Sequence, residues 1–135
     1  MTIAPIIAVN ALDLQQVNKL HQCIILTNKQ KYKKSMLKHI VMWRYKDGAE
    51  GKSSKEHAQW MKQNLEALVG VVPEIQSLEY GIDEMSTPAS YHGVLTVVVA
   101  DAEALKCYAN HPEHLKIVDY ASRVTESRVV VDYTL

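Results

Sequence analysis

Cysteine is scarce in this chain: Cys23 and Cys107 are the two in 135 residues. Two thiols build no disulfide framework, and their spacing matches no metal-binding motif. The expectation is a reduced, cytoplasmic protein. Long apolar runs are lacking too. No stretch approaches the roughly 20 residues that cross a bilayer, so no membrane association is expected. The apolar stretch at residues 3–9 lacks a basic start and is interrupted by Pro5, which argues against a secretory leader. Nor is there an excess of positive charge. Residues 1–35 hold five lysines against Asp13, while residues 36–135 hold ten basic and fourteen acidic side chains. An acidic main body repels phosphates, so nucleic acid is not an expected partner.

What is present suits one domain with a proper core. Residues 1–35 read apart from the rest, as an apolar run, a weakly helical stretch and the lysine-rich residues 29–34. They carry no element that connects to the remainder of the chain. We expect an N-terminal extension, poorly ordered or upstream of a natural start at Met36. The rival reading is a basic arm that touches a partner.

From Met36 the pattern sharpens. Residues 37–46 form a strand rich in β-branched and aromatic side chains, with Leu37, His39, Val41, Trp43 and Tyr45 on one face. Ser53 and Glu56 make a capping box. The helix it opens places Ala58, Met61, Leu65 and Leu68 on one apolar stripe, and Gly70 and Pro73 end it. A short strand comes next at 75–81, then a polar loop, then a strand at 93–100. Asp101 caps a short helix ending near Asn110, and Pro112 opens another reaching about residue 124. A last strand holds Val129 to Tyr133. The order β-α-β-β-α-β predicts an α+β, ferredoxin-like fold, a four-stranded antiparallel sheet with helices on one face.

Helices on one side leave the other sheet face bare, yet the third and fourth strands are apolar on both. A bare face of Ile40, Met42, Leu95, Val97, Val129 and Val131 is a large apolar patch, and such patches mark interfaces. Two copies packed sheet to sheet bury it, forming a dimeric α/β barrel. A homodimer is expected.

The most informative run is Tyr108-Ala-Asn-His111-Pro-Glu-His114. Pro112 suits the first helical position, which makes His111 the N-cap and sets His114 one turn in. Two further polar groups interrupt apolar strands, His39 in the first and Asp132 in the last. His39 shares the helix-side face of its strand, where it can meet Tyr108 and His114 in a cavity. A neutral imidazole there takes a proton from carbon beside a carbonyl. A carboxylate on its other nitrogen fixes the tautomer, and a phenol donates to the developing oxyanion. The plainer readings stay open: His111 as a cap only, a His114–Asp132 pair that ties a helix to a strand, and Tyr108 as a core side chain. His39, His111, His114 and Asp132 are metal-ligand types, but the cap role aims His111 elsewhere, so no metal is expected.

These residues carry a resemblance. Lys38-His39-Ile-Val, Pro73-Glu-Ile, Tyr91, the Tyr108-x-x-His111-Pro-x-His114 run and Val131-Asp132-Tyr133 together make residues 36–135 similar to the stress-responsive A/B barrel domain family, part of the dimeric α+β barrel group. That resemblance implies the fold, the dimer and a link to stress response. One branch, the plant olivetolic acid cyclase, closes a polyketide ring without a cofactor. Its catalytic positions fall here on His39, Tyr108 and His114, with Asp132 orienting the base. Two departures matter. Many members have a histidine where this chain has Gly93, and His92, one position earlier, points to the opposite face. Trp43 replaces a smaller aliphatic residue and narrows the cavity.

The resulting expectation is a homodimer with a small apolar pocket, lined by Val41, Trp43, Met61 and His111, for a small organic ligand. The alternatives are a cofactor-free enzyme using His39, Tyr108, His114 and Asp132, and a structural or chaperone-like oligomer whose cavity is filled. Protein made from its native gene is expected to show the intact mass of a chain starting at Met36. A retained arm gives the full mass.

Overall fold

A computed structural model describes residues 13–30 and 35–135, the side chains of 27–30 excepted. The apolar run at 3–9 and the side chains of the lysine-rich stretch at 29–34 lie outside the described residues. Helix α1 (Leu14–Gln30) is followed by β1 (Leu37–Tyr45), α2 (Ser54–Glu66), β2 (Ser77–Ile82), β3 (Gly93–Val99), α3 (Ala102–Asn110), α4 (Pro112–Val124) and β4 (Thr125–Thr134). From β1 onward this is the expected β-α-β-β-α-β order, with the second helix broken at His111.

Local chemistry explains each helix start. Ser53 and Glu56 satisfy one another's backbone at the head of α2, and the Asp101 carboxylate accepts from the Ala104 N–H at 3.0 Å to begin α3. His111 both ends α3 and caps α4, its Nδ1 accepting the Glu113 N–H at 3.1 Å. Pro112 occupies the first helical position, where its missing donor costs nothing.

The sheet runs β2-β3-β1-β4, every pair antiparallel. β1 is therefore central. On it His39 faces Val97 and Asp132, Val41 faces Leu95 and Val130, and Trp43 faces Gly93 and Arg128. Residues directly opposite share a face, so all of these look toward the helices. One expectation falls here. Leu95 and Val97 belong to the helix-side core, at 2% and 0% exposure, and not to the bare face. β3 is apolar on both sides, and its alternation offered no way to choose between them. The bare face carries Ile40, Met42, Val94, Val98, Val129 and Val131 instead.

Aromatic packing fills one end of the core. The Tyr45 and Tyr80 hydroxyls meet at 2.5 Å, and Trp43 stacks on both rings. Tyr80 lies so close over Gly93 that a Cβ there would sit 2.0 Å from its hydroxyl oxygen. This close approach explains why a glycine starts β3.

In the N-terminal third, residues 14–30, which include most of the stretch read as weakly helical, form helix α1, whose start is capped by reciprocal bonds between Asp13 and Gln16. One expectation, about the cysteines, is corrected. Cys23, on α1, is disulfide-bonded to Cys107, on α3, across 84 residues of sequence. Neither cysteine is free, so the reduced state expected from their number does not hold. The pairing arises from α1 docking on α3, a tertiary contact that spacing does not encode. A closed loop of this length removes several kcal/mol of unfolded-chain freedom, about 4–5 kcal/mol in the chain-entropy account.

Two outcomes are expected. Protein isolated without reductant and then denatured resists alkylation at Cys23 and Cys107, and reduction strips amide-exchange protection from α1 but not from β1. Ready alkylation of both thiols in the unreduced sample contradicts the bond. Separately, Gly93→Ala lowers stability by about 2 kcal/mol or more in urea denaturation, because backbone and a buried ring must move apart.

Candidate functional site

β1, β3, β4, α2, α3 and α4 line a cavity of about 710 Å³ that is partly open to solvent. Its floor is the helix-side face of the sheet, and its walls are the facing sides of α2, α3 and α4. Most of the lining is aliphatic, including Val41, Leu65, Leu95, Leu105 and Ile117. His39, Tyr108 and His114 supply polar groups. Trp43 and Met61 line the cavity without closing it, because Trp43 is held flat against Tyr45 and Tyr80 at one end. His111, expected among the lining, is not there. Its imidazole is spent on capping α4.

The three polar rings sit together. Tyr108 and His114 have ring centroids 4.4 Å apart, and His39 stands edge-on to Tyr108 at 6.3 Å. Each imidazole has one nitrogen assigned by its partner. His114 Nδ1 lies 2.9 Å from the Ala109 carbonyl oxygen. A carbonyl only accepts, so Nδ1 carries the proton and Nε2 keeps its lone pair. Burial pulls the His114 pKa below its ordinary value of 6.5, against a smaller rise from the Ala109 bond, which leaves the ring neutral at pH 7.

His39 Nδ1 bonds the Asp132 carboxylate. This corrects the expected His114–Asp132 pair. The reason is the β1–β4 register, which sets residues 39 and 132 directly opposite each other, whereas His114 lies across the cavity on α4. The carboxylate fixes the His39 tautomer as it was expected to fix that of His114.

Tyr108 is 1% exposed, and its hydroxyl has no hydrogen-bond partner among the described residues. Burial pushes its pKa well above the ordinary phenol value, so at neutral pH it is a donor with nothing to donate to. An orphan buried donor costs about 1–3 kcal/mol.

Elsewhere, His57 is fully buried, with Nδ1 2.6 Å from the Tyr120 hydroxyl. His92 accepts the Tyr45 N–H at 2.8 Å and stacks on that ring. Both are structural. Among the described residues, the side chains of metal-ligand type that converge are Cys23, Glu74 and Cys107, with ligand atoms within 4.8 Å. The two sulfurs are already bonded to each other. His39, His111, His114 and Asp132 do not converge. Arg128 lines the cavity and was missed from the sequence, although its position four pairs along the ladder from Asp132, on the same face, follows once the register is known. No helix is long and apolar enough to cross a membrane among the described residues.

Residues 37–135 match the model of the stress responsive A/B barrel domain. The chain belongs to that family. No curated protein matches it. A dimeric protein of unknown function and ferredoxin-like fold from Bacteroides fragilis is 27% identical, with a TM-score of 0.64, covering 74% of this chain and 96% of that one. A dimeric ferredoxin-like protein from Thermobifida fusca is 19% identical at a TM-score of 0.65, covering 78% and 96%. A hydroxynitrile lyase from Passiflora edulis is 19% identical at a TM-score of 0.60, covering 74% and 93%. The last two likenesses show the fold alone.

Acid should act on this site. His114 titrates below 6.5 in the folded chain and near 6.5 when unfolded. As pH falls through 6.5, the unfolded state takes up the proton first, so stability drops. Urea denaturation at pH 7 and pH 5 is expected to show this fall. His114→Gln should flatten it by at most about 1.4 kcal/mol per pH unit.

Proposed function

We propose that the cavity binds a small organic ligand with an apolar body, in a protein that works as a homodimer. The observation that carries this reading is the buried, unpartnered Tyr108 hydroxyl beside a large apolar space. A donor kept dry without a partner is expensive in a purely structural core, and a ligand oxygen removes the cost. A volume of about 710 Å³ falls within the range typical of small-molecule sites, and it disfavours a filled, purely structural cavity.

The homodimer rests on the bare sheet face. Val131 is 60% exposed, with Met42 and Val129 beside it near 40%. Sheet-to-sheet packing of two copies removes that face from water. The Bacteroides fragilis relative is itself dimeric. Sedimentation should give a dimer at micromolar concentration, and Val131→Asp should shift it to monomer without loss of secondary structure. A well-folded monomer of the unaltered chain refutes this assembly.

A second reading, cofactor-independent acid–base catalysis on a carbonyl compound, is favoured by the free Nε2 of His114. That nitrogen takes a proton from the carbon next to the carbonyl. The electron pair of the broken C–H bond moves to the carbonyl oxygen, and the Tyr108 O–H donates to the enolate formed. The proton held on His114 Nε2 exchanges with solvent and is returned to the same carbon, while the electron pair moves back from the oxygen. In D2O, an apolar methyl ketone should exchange its α-hydrogens in the presence of the protein, followed by NMR. His114→Ala should slow this exchange by about 100-fold or more. Exchange at the buffer rate with the unaltered protein removes the catalytic reading and leaves binding.

A further inference from the structure

We infer that the cavity selects a carboxylate, and that Arg128 is the residue that selects it. This inference rests on the ligand-binding reading above and names the ligand's chemical class. Arg128 stands opposite Trp43 in the β1–β4 ladder, which turns its side chain to the helix side of the sheet and into the cavity lining. β4 is an edge strand and Arg128 is exposed, so the guanidinium sits where the apolar chamber meets water.

The other two arginines are engaged. Arg44 donates to the Pro88 carbonyl at 3.0 Å and lies over the Tyr91 ring. Arg123 bonds the carboxylates of Glu50 and Asp119. Arg128 has no hydrogen bond or ion pair among the described residues. Among the described residues, no aspartate or glutamate lines the cavity. The other lysine or arginine among the described lining residues, Lys106, is already beside Glu103 at 3.4 Å. The chamber thus carries one uncompensated positive charge, and His39 and His114 both offer it neutral or already-paired nitrogens.

A single guanidinium matches a single carboxylate in charge and in geometry, since its planar fork can donate two parallel hydrogen bonds to the two oxygens. A phosphate ester with up to two negative charges is left undercompensated. The ligand that fits is therefore an amphipathic monocarboxylate. Its acid group meets Arg128 near solvent, and its apolar body lies over Val41, Leu95 and Ile117. In that pose the atoms beyond the carboxylate reach Tyr108 and His114, which both feel the positive charge of Arg128.

The test compares decanoate with 1-decanol, equal in chain length and different in charge, by titration calorimetry below the micellar range. Decanoate should bind about ten-fold or more tightly, with an affinity that falls as salt rises. Arg128→Leu should remove the preference for decanoate over decanol, and Arg128→Lys should keep part of it. Because residue 128 is an exposed position on an edge strand, both variants are expected to fold, and an unchanged circular dichroism spectrum and urea midpoint report that they have. If the two probes bind equally to the unaltered protein, the cavity reading survives and the carboxylate assignment is overturned. A preference for decanoate that persists in Arg128→Leu overturns it too. Binding of neither probe overturns the assignment together with the cavity reading.

Discussion

The register of β1 against its two neighbours is the constraint on which the rest of the molecule depends. β1 is central, and its alternate side chains divide the protein into a helix side and a bare side. His39, Val41 and Trp43 floor the chamber because they fall on the same parity as Asp132, Val130 and Arg128 in β4. A slip of one residue would exchange the two sides, placing Ile40 and Met42 under the helices and the imidazole on the bare face. Burial strongly opposes that slip, since Val41, Tyr45, Leu95 and Val99 all lie at 2% exposure or less. Hydrophobic burial thereby positions a polar pair that contributes little to burial itself.

The helices add the opposing wall by local means. The break between α3 and α4 is produced by His111 and Pro112, and it turns the chain so that Tyr108 from the end of one helix and His114 from the start of the next face each other. The Ala109 carbonyl, left free by the end of α3, then accepts from His114. One interruption in a helix therefore supplies the cap, the ring contact and the tautomer. The disulfide joins α1 to the residue next to Tyr108, so the wall is also braced from outside the family domain.

Much of this was legible in the residues. Capping boxes, the proline at the first helical position and the period-2 pattern of β1 depend on neighbours within four residues, and each element they predicted is present. The gathering of His39, Tyr108 and His114 around one space was legible too, since it needs only the parity of one strand and the phase of one helix. What escaped depends on alignment between distant segments. Asp132 was paired with the wrong histidine, and Arg128 went unnoticed, because strand register is a property of two strands at once. Leu95 and Val97 were misplaced because a strand apolar on both sides carries no parity signal. The Cys23–Cys107 bond was invisible for the same reason, as nothing near either thiol points to the other. His57 lies off the apolar stripe read for α2, yet it is fully buried against Tyr120.

The His39–Asp132 contact bridges 93 residues of chain, nearly the whole span of the domain. Contacts of such separation form late, because the closure entropy must be met before they give any return. The α3–α4 corner that brings Tyr108 to His114 is local in sequence, whereas the imidazole–carboxylate couple joins the two ends of the domain. The couple therefore exists only once β1 and β4 have paired, and neither half of the domain contains it.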